Sequence, residues 1–507
     1  MIQFLDALTR HIQTSPDKVA LEFIDPPLQC LTYGQLGERI ERGLAYLAAV
    51  GLQPGERVAL QLPKCLEFIE LHLATLYSGG ISLPLNPAYP PDEIAYFLMD
   101  SGARFFFAEV ANAERIEPQL SGLPELERCV FLNLHDTGWS DSQNSSPTRF
   151  SGITISNQPD DTAVIIYTSG TTGRSKGAEI THGNLSANLE ALHAAWGWQA
   201  EDVLLHVLPL FHVHGLIVAL HGALHTGART LLTRQFDAAR TLETLVEREC
   251  SVFMGVPTIH RRLLAVPGAG RFDLSRIRLI TSGSDRLPDE VFIDFRRTFG
   301  YTLLERYGMT ETGMNLSNPL DGERRLGSVG LPLPGVEARV VDPETGQKLP
   351  DGHVGELQVR GPNVFKGYWR QPEKTTEAFT PDGWFKTGDL GLREPDGYFT
   401  LHGRAKDLII TGGLNVYPPE VEHVLAGHPA VAACAVIGCP DPEWGERVTA
   451  AVVLNAGQSV TAEELIAYCR ERLAAYKSPR AIFIRQDLPR NAMGKVQKAL
   501  LREEICS

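Results

Sequence analysis

The stretch Tyr167–Gly177 constrains this chain more than any other, because a strand-forming run leads directly into a loop of Gly, Ser and Thr. Residues 163–167 read Ala-Val-Ile-Ile-Tyr, which is long enough for a buried strand and too short for a typical helix. Residues 167–177 then read Tyr-Thr-Ser-Gly-Thr-Thr-Gly-Arg-Ser-Lys-Gly. Glycines let successive backbone N–H groups point the same way, and such a nest binds anions. The hydroxyl and basic side chains add donors and positive charge, so the stretch is typical of a polyphosphate site.

The loop does not follow either of the two common phosphate-binding spacings. It lacks Gly-x4-Gly-Lys-[Ser/Thr] and it lacks Gly-x-Gly-x-x-Gly. A polar stretch of this composition is otherwise a flexible surface loop. Its length and its position directly after a buried strand favour the nucleotide site.

Five motifs in a fixed order identify the chain with a known superfamily. The sequence Tyr-Thr-Ser-Gly-Thr-Thr-Gly-x-x-Lys-Gly resembles the phosphate loop of adenylate-forming enzymes, which include acyl-CoA synthetases, adenylation domains of peptide synthetases and beetle luciferases. Further matches follow in the superfamily's order at Leu303–Thr312, Trp384–Asp389, Gly403–Pro418 and Pro489–Lys495. On these motifs the chain is identified as a member of the acyl-CoA synthetase branch.

Composition excludes several other classes of protein. The 507 residues carry a net charge of −14, from 47 basic and 61 acidic side chains, which disfavours a nonspecific nucleic-acid binder and a polybasic membrane anchor. No apolar run approaches the roughly 20 residues that span a bilayer. We therefore expect no nucleic-acid partner and no stable membrane insertion. The sequence does not indicate the oligomeric state.

The eight cysteines are scattered, and no two of them form a Cys-x-x-Cys pair. Zinc and dithiol redox motifs are therefore absent. We expect ordinary reduced thiols in a cytoplasmic protein. The first eleven residues are typical of a short amphipathic helix rather than a secretory signal.

The order of predicted elements indicates an α/β protein. Strand, helix and strand alternate over residues 56–85, which predicts parallel α/β layers, and a polar stretch at 133–160 predicts a loop that joins two subdomains. We expect a large multi-subdomain N-terminal domain, residues 1–403, that binds ATP and the acid. A small mobile α+β domain, residues 404–507, would follow and carry the adenylation lysine. The resemblance makes Lys406 its hinge, although a solvated loop lysine is the alternative.

The resemblance implies a two-step reaction. A carboxylate attacks the α-phosphate of ATP, pyrophosphate leaves, and a CoA thiol then attacks the acyl-adenylate to release AMP. Two anions meet in the first step, so positioning and charge neutralisation carry the catalysis. The resemblance assigns catalysis to Lys495, Glu311 and Thr168, and it makes Thr168 and Glu311 the oxygen ligands of the Mg²⁺ cofactor.

The resemblance also assigns a wider set of residues to ATP and AMP: Thr168, Ser169, Gly170, Thr171, Thr172, Gly173, Lys176, Ser284, Tyr307, Gly308, Thr310, Asp389 and Arg404. Three of these have ordinary structural alternatives. Asp389 can be a turn residue, Arg404 a surface ion-pair partner and Tyr307 a core tyrosine. The cosubstrate CoA is less well marked, and the resemblance places it at Gly412, Gly413 and Lys477, the last of which can equally be a solvated lysine.

The residues expected around the acid are unusually polar for a fatty-acyl pocket, where an unpaired charge is costly. The resemblance places His212, His214, Arg262, Ser284 and Met314 at this site. An arginine pairs bidentately with a carboxylate. The pattern is similar to malonyl-CoA synthetases, in which the matching Arg, His and Ser surround the distal carboxylate of malonate. Arg262 pairing with a surface acid is the alternative.

One departure from that group follows Ser284, where Asp285 and Arg286 replace the usual small residue. Despite this departure, the polar residues around the acid predict malonate or methylmalonate as the substrate. The alternatives are a fatty or aryl acid:CoA ligase of the same fold, an adenylating enzyme that loads a carrier protein, and a non-enzymatic nucleotide-binding module. The conjunction of Glu311, Asp389, Arg404 and Lys495 argues against the module.

Overall fold

The computed structural model describes residues 3–134, 157–168, 175–490 and 495–506. The chain forms two compact units. The first contains residues 1–325, 330–337 and 359–385, and the second contains residues 326–329, 338–358 and 386–507. The predicted domain boundary between residues 403 and 404 remains a prediction, because a division into compact units does not show which part of the chain moves.

The first unit holds most of the helices. They are α1 (Phe4–Thr14), α2 (Tyr33–Ala49), α3 (Leu66–Tyr77), α4 (Pro91–Ser101), α5 (Ala113–Leu120), α6 (His182–Trp196), a π-helix (His214–His221), α7 (Gly222–Thr226), α8 (Ala238–Glu247), α9 (Pro257–Leu264), α10 (Asp289–Phe299) and α11 (Pro372–Ala378). Capping boxes define two of the starts. Thr32 caps α2 with Gln35, and Thr181 caps α6 with Asn184.

The first unit also contains two sheets of parallel strands with antiparallel edges. Their strands are β1 (Val19–Phe23), β2 (Gln29–Thr32), β3 (Arg57–Gln61), β4 (Ile81–Pro84), β5 (Phe105–Glu109), β6 (Arg128–Leu132), β7 (Thr162–Thr168), β8 (Lys176–Thr181), β9 (Val203–His206), β10 (Arg229–Leu232), β11 (Val252–Gly255), β12 (Leu279–Ser282), β13 (Leu304–Met309) and β14 (Gly313–Ser317).

One sheet contains the strand order β14-β13-β12-β11-β9-β10-β1-β2, and the other contains the order β8-β7-β4-β3-β5-β6. In each sheet the central strands are parallel, and they are buried on both faces, as parallel layers covered by helices require. The predicted parallel α/β layers are confirmed. Residues His214–His221 form a π-helix, and local π-helical geometry is frequent at functional sites.

The later strands complete the fold. They are β15 (Ser328–Pro332), β16 (Glu337–Val341), β17 (Gly355–Arg360), β18 (Gly367–Tyr368), β19 (Phe385–Arg393), β20 (Phe399–Arg404), β21 (Ile409–Thr411), β22 (Leu414–Val416), β23 (Val431–Asp441), β24 (Gly445–Leu454) and β25 (Ala481–Arg485). Of these, β18 adds to the edge of the sheet at β8. Strands β21 to β25 form one sheet of the second unit, over which α12 (Pro418–Ala426), α13 (Ala462–Arg470) and α14 (Lys498–Ile505) are arranged. This α+β composition was predicted.

One expectation about the cysteines is wrong. Cys439 on β23 and Cys506 after α14 form a disulfide, with their Cα atoms 5.2 Å apart. They are 67 residues apart in sequence, so spacing alone gave no sign of the pair. The other six cysteines are free thiols. None of the helices in the described part of the chain combines the length and apolar character that crossing a bilayer requires.

Candidate active site

The hairpin of β7 and β8 holds the two described ends of the predicted phosphate loop. Thr168 is the last residue of β7 and Lys176 the first of β8, and the two are register partners. The predicted ligands Ser169, Gly170, Thr171, Thr172 and Gly173 lie outside the described residues. Antiparallel pairing of the two ends fixes a hydroxyl and an ammonium opposite one another at the mouth of the loop.

Tyr368 on β18 connects Lys176 with Glu311. The Nζ atom of Lys176 lies 4.9 Å from the centre of the Tyr368 ring, and the Tyr368 hydroxyl donates to Oε1 of Glu311 over 3.1 Å. Glu311 is buried, and its backbone carbonyl accepts from the N–H of Phe365. The structure therefore brings the predicted phosphate-binding lysine and the predicted metal ligand into contact with one tyrosine, Tyr368, which the sequence analysis does not identify.

Strand β13 supplies the residues predicted to face adenine. Tyr307 is buried, and Gly308 packs so closely on the antiparallel strand β14 that a Cβ would collide with the carbonyl oxygen of Gly313. Only glycine fits here, which explains the Tyr-Gly pair of the motif. Thr310 follows in the turn between the two strands. Met314 on β14 is buried, and its backbone is held by the Asn188 side chain.

Two of the predicted acid-binding residues are in direct contact. The Ser284 hydroxyl and Nδ1 of His214 lie 3.2 Å apart. Ser284 has a φ of +67°, a left-handed conformation that is uncommon outside glycine and typical of strained functional positions. Ser284 is exposed whereas His214 is buried, so the pair extends from the protein surface into the interior.

Arg306 on β13 places a guanidinium in the same buried region. Its side chain is 2% exposed, and none of its three nitrogens has a hydrogen-bond partner among the described residues. The guanidinium packs on Gly283, where a Cβ would lie 2.5 Å from its Cζ atom. Burial lowers the pKa of Arg306 to about 9, which leaves the side chain cationic at neutral pH.

The histidines around Arg306 are neutral. Burial first, and the charge of Arg306 second, hold the pKa of His214 well below its ordinary value. Burial lowers the pKa of His212 to about 4 and that of His260 to about 4. The Nε2 atoms of His212 and His214 lack partners among the described residues. The region therefore offers one fixed positive charge and several neutral polar groups.

Sequence reasoning missed Arg306, although a signal was present. The run Leu303-Leu304-Glu305-Arg306-Tyr307 puts two charged residues in an otherwise apolar strand. A charge within a buried strand is rare unless it is paired or functional. The family resemblance itself assigns no role to Arg306.

The structure does not bring Arg262 into this group. Its side chain is exposed, and its guanidinium lies 4.7 Å from the centre of the Phe236 ring. Two charged residues, Asp285 and Arg286, follow Ser284. Asp285 accepts from the backbone N–H of Arg286, whose guanidinium lies 3.8 Å from Asp289.

The second unit holds the residues predicted at the ribose. Asp389 on β19 and Arg404 on β20 are register partners, and Nε of Arg404 lies 2.8 Å from Oδ1 of Asp389. Arg404 also donates to the carbonyl of Thr387. Asp389 is buried, and its carboxyl group lies next to the guanidinium of Arg404.

The second unit holds the two lysines predicted as hinge and as adenylation lysine, and both side chains are exposed. Partial desolvation lowers the pKa of Lys406, with further lowering by Arg404, Arg502 and Lys495 and an opposing effect from Asp407. Lys495 is exposed and follows residues 491–494, which lie outside the described part of the chain. The predicted roles of hinge and of adenylation lysine remain predictions.

The predicted CoA-binding residues also lie in the second unit. Gly412 and Gly413 have φ values of +58° and +79°, as a two-residue hairpin turn between β21 and β22 requires. Gly412 packs on Trp444. Lys477 is already paired with Glu420, at 2.6 and 2.9 Å, and this hydrogen bond raises the pKa of the lysine. A CoA phosphate would have to compete with that carboxylate.

Comparison with known proteins identifies the family. The AMP-binding enzyme family matches residues 8–369, and the AMP-binding enzyme C-terminal domain matches residues 420–495. Among curated relatives, the mitochondrial malonate–CoA ligase of Mus musculus is 39% identical over 491 residues, which cover 90% of this chain and 83% of that protein. A long-chain-fatty-acid–CoA ligase of Bacillus subtilis is 34% identical over 98% of this chain and 93% of its own length.

The solved structures agree with this assignment. The crystal structure of ATP-bound MatB from Rhodopseudomonas palustris matches with a TM-score of 0.90 and 41% identity, covering 98% of each chain. The superfamily expected from the five motifs is thus confirmed. The chain belongs to the AMP-binding enzyme family, as an adenylate-forming acyl-CoA synthetase.

Proposed function

We propose that this chain activates malonate, or its close relative methylmalonate, with ATP and transfers the acyl group to CoA, releasing pyrophosphate and AMP. One observation carries the choice of acid: the Arg306 guanidinium is buried beside the acid-binding pair and has no partner among the described residues. The remaining observations support the chemistry but do not discriminate between acids.

A buried, unpaired guanidinium is expensive for the folded protein to retain. Moving a charge from water into a protein interior without a compensating partner costs on the order of several kcal/mol. A second carboxylate on the substrate would accept from two nitrogens of Arg306 at once. A fatty or aryl acid has no such group and would leave the charge unpaired. The pocket therefore favours a small dicarboxylate.

His214 and Ser284 complete the recognition of the distal carboxylate. Since His214 is neutral, one ring nitrogen donates and the other accepts. Ser284, 3.2 Å from Nδ1, can act as the donor to that nitrogen, which leaves the proton of His214 on Nε2 to donate to substrate. Arg262 is retained as a second candidate for this carboxylate, because a rotation of an exposed side chain costs little.

The relatives support this choice without deciding it. The mouse protein is a malonate–CoA ligase, and the Bacillus protein acts on long-chain fatty acids. Both are similar enough to share the fold and the adenylation chemistry with this chain. A difference in acid within one fold would lie in the residues that line the acid pocket, for which Arg306 is the candidate in this chain.

The residues directed at ATP suit an Mg²⁺-supported polyphosphate. Among the described residues no group of three or more His, Cys, Asp or Glu side chains could hold a metal alone. A carboxylate from Glu311 and a hydroxyl from Thr168 are hard oxygen donors of the type Mg²⁺ takes alongside phosphate oxygens. The bound ion would neutralise phosphate charge. Lys176 adds a positive charge, and Asp389 with Arg404 would bind the ribose.

We further propose that Lys495 bridges the attacking carboxylate and the α-phosphate, that Lys406 is the hinge of a mobile domain beginning at residue 404, and that CoA passes Gly412 and Gly413. A cytoplasmic location is also proposed, with the six free thiols in its favour and the mitochondrial location of the mouse relative as the alternative. Replacing Lys495 by Ala tests the first role: adenylation should be lost, while thioester formation from preformed acyl-adenylate is retained.

AMP release tests the proposed function. The purified protein is assayed with ATP, Mg²⁺ and CoA over malonate, methylmalonate, acetate, octanoate and 4-coumarate. We expect turnover with malonate or methylmalonate to exceed that with every monocarboxylate. Best turnover with octanoate or coumarate would retain the class of enzyme and overturn the choice of acid. Equal loss of both half-reactions in Lys495→Ala would overturn the lysine's role.

A further inference from the structure

Helix α4 carries two side chains that reach the phosphate-loop hairpin from the same face. Tyr96 and Asp100 are four residues apart, so they lie one above the other on the helix. The Tyr96 hydroxyl donates to the backbone carbonyl of Ser175 over 2.8 Å. Oδ2 of Asp100 accepts from the hydroxyl of Tyr167 over 2.6 Å.

These two hydrogen bonds engage both stems of the hairpin. Tyr167 directly precedes Thr168, and Ser175 directly precedes Lys176. One bond therefore holds the strand that enters the predicted loop, and the other holds the strand that leaves it. Because Thr168 and Lys176 are register partners, α4 fixes the pair of groups that faces the polyphosphate.

Apolar packing accompanies the two hydrogen bonds between α4 and the hairpin. The Phe97 ring lies 4.5 Å from the Tyr167 ring, between the two hydrogen-bonding residues of the helix. Trp369 completes the enclosure: its backbone N–H donates to Gly177 on the hairpin, and its indole N–H donates to Ser101 at the end of α4. The hairpin stems are thus tied to α4 at three points.

We infer that Tyr96 and Asp100 are positioning residues for ATP, which hold the phosphate-loop hairpin in its binding geometry before the nucleotide arrives. This inference rests on the proposed function in that ATP is the ligand. Order present in the free protein does not have to be acquired on binding, so affinity is higher. Neither residue touches ATP in this account. Both act through the backbone of the hairpin.

The inference predicts a characteristic kinetic signature. Loss of preorganisation weakens ground state and transition state alike, so KM for ATP rises while kcat stays nearly constant. A merely structural role would instead lower the melting temperature and the active fraction without changing KM. The transfer of an acyl group from preformed acyl-adenylate to CoA needs no polyphosphate and should be unaffected.

Three single hydroxyl deletions test it: Tyr96→Phe, Tyr167→Phe and, as the matched control, Tyr89→Phe. Tyr89 belongs to the same buried cluster, and its ring lies 4.9 Å from Phe97, but its hydroxyl makes no described hydrogen bond to the hairpin. We expect KM for ATP to rise about three- to tenfold in Tyr96→Phe and in Tyr167→Phe, the effect of one lost hydrogen bond. The double variant should show both effects, and Tyr89→Phe neither.

The outcomes separate this inference from the proposed function. An unchanged KM in both stem variants, or a fall in kcat and melting temperature alone, would overturn it. If the wild-type protein turned over none of the acids, the proposed function would fail, and titration calorimetry with ATP and Mg²⁺ would still decide the inference. Weaker ATP binding by Tyr96→Phe than by Tyr89→Phe would support it, and equal binding would overturn it.

Discussion

The two ends of the π-helix His214–His221 bury histidines in opposite ways. At the first end, His214 lies near Arg306 and Ser284, with Nε2 of the histidine and all three guanidinium nitrogens unpartnered among the described residues. At the last end, Nε2 of His221 lies 2.8 Å from Nε2 of His72, whose Nδ1 lies 2.7 Å from the Ser82 hydroxyl.

The hydrogen-bonded side chains of Ser82, His72 and His221 are closed off from any ligand. His72 and His221 are both 0% exposed, and the Phe4 ring stacks on His221 at 4.2 Å. Of the four ring nitrogens of the pair, Nδ1 of His221 alone lacks a partner in the described part of the chain. Satisfied polar groups under an aromatic lid are typical of structure, whereas unsatisfied ones beside an exposed serine are typical of a site.

The comparison of the His214 end with the His221 end shows that burial alone does not identify function. All these histidines are held neutral by burial, so a lowered pKa marks both ends equally. What separates the ends is whether the protein itself supplies the hydrogen-bond partners. Substitutions at the His214 end should therefore lower activity with little loss of stability, whereas substitutions at the His221 end should lower stability with little loss of activity.

The largest effect is expected from Arg306→Met. Removing the guanidinium deletes the partner of the distal carboxylate, so kcat/KM for malonate should fall roughly 30- to 3,000-fold, the range for truncating one member of a buried charge pair. The melting temperature should not fall, because the substitution removes an unpaired buried charge. Steady-state kinetics and calorimetry measure the two quantities.

Arg262→Leu is the matched arginine control for that experiment. If Arg306 alone binds the distal carboxylate, Arg262→Leu changes kcat/KM much less than Arg306→Met does. A steep rise in the KM for malonate in Arg262→Leu, with Arg306→Met unaffected, would return the role to the arginine that the sequence first indicated.

The opposite response is expected from His72→Leu. It leaves the Ser82 hydroxyl and Nε2 of His221 buried without their shared partner, which costs about 1–3 kcal/mol per orphaned group. The free energy of unfolding, from urea titration, should fall by that order, and the kcat/KM of the folded enzyme should not change. Replacing His221 by Leu as well should recover part of the loss, since paired removal of polar groups is nearly neutral.

A smaller effect is expected from Ser284→Ala. The hydroxyl contributes one neutral hydrogen bond at the site end, so the KM for malonate should rise about three- to tenfold with little change in melting temperature. Ser82→Ala is the matched deletion at the structural end. It should lower stability and leave KM unchanged, and a reversal of these two results would remove the distinction between the ends.

A further effect is expected in the pH dependence of stability. Burial lowers the pKa of His72 to about 3 and holds that of His221 well below its ordinary value, so the unfolded chain takes up protons first as pH falls below about 6.5. The pair therefore contributes stability above pH 6.5 that is lost on acidification towards pH 4, at about 1.4 kcal/mol per pH unit for each titrating histidine. Stability of the His72→Leu/His221→Leu variant should fall less steeply over this range, and an equal slope would contradict the assignment.

Much of the fold could be predicted from the chain because local signals agree with the tertiary structure. The runs at β3, β4 and β7 are mostly apolar, and the structure places each of them as a largely buried strand with a parallel neighbour. The alternation of strand, helix and strand over residues 56–85 was likewise predictable. The disulfide between Cys439 and Cys506 was not, because only the folded second unit brings those strands and helices together.

The site was predictable where motifs mark it and unpredictable where tertiary contacts build it. Glu311 and Asp389 stand in motifs. Arg306 stands in one too, but its importance depends on burial without a partner, which no sequence pattern reports. The contribution of Tyr96 depends on a hydrogen bond to a carbonyl 79 residues away. Long-range contacts of this kind have no local signature.

The most direct test of the central claim is the selectivity of the wild-type protein and of Arg306→Met between malonate and propionate, measured as the ratio of their kcat/KM values. Propionate replaces the distal carboxylate by a methyl group and leaves the reacting carboxylate unchanged. We expect a strong wild-type preference for malonate that collapses in Arg306→Met, because only malonate loses a partner. An equal loss for both acids would contradict it, and would show that Arg306 maintains the pocket rather than recognising the second carboxylate.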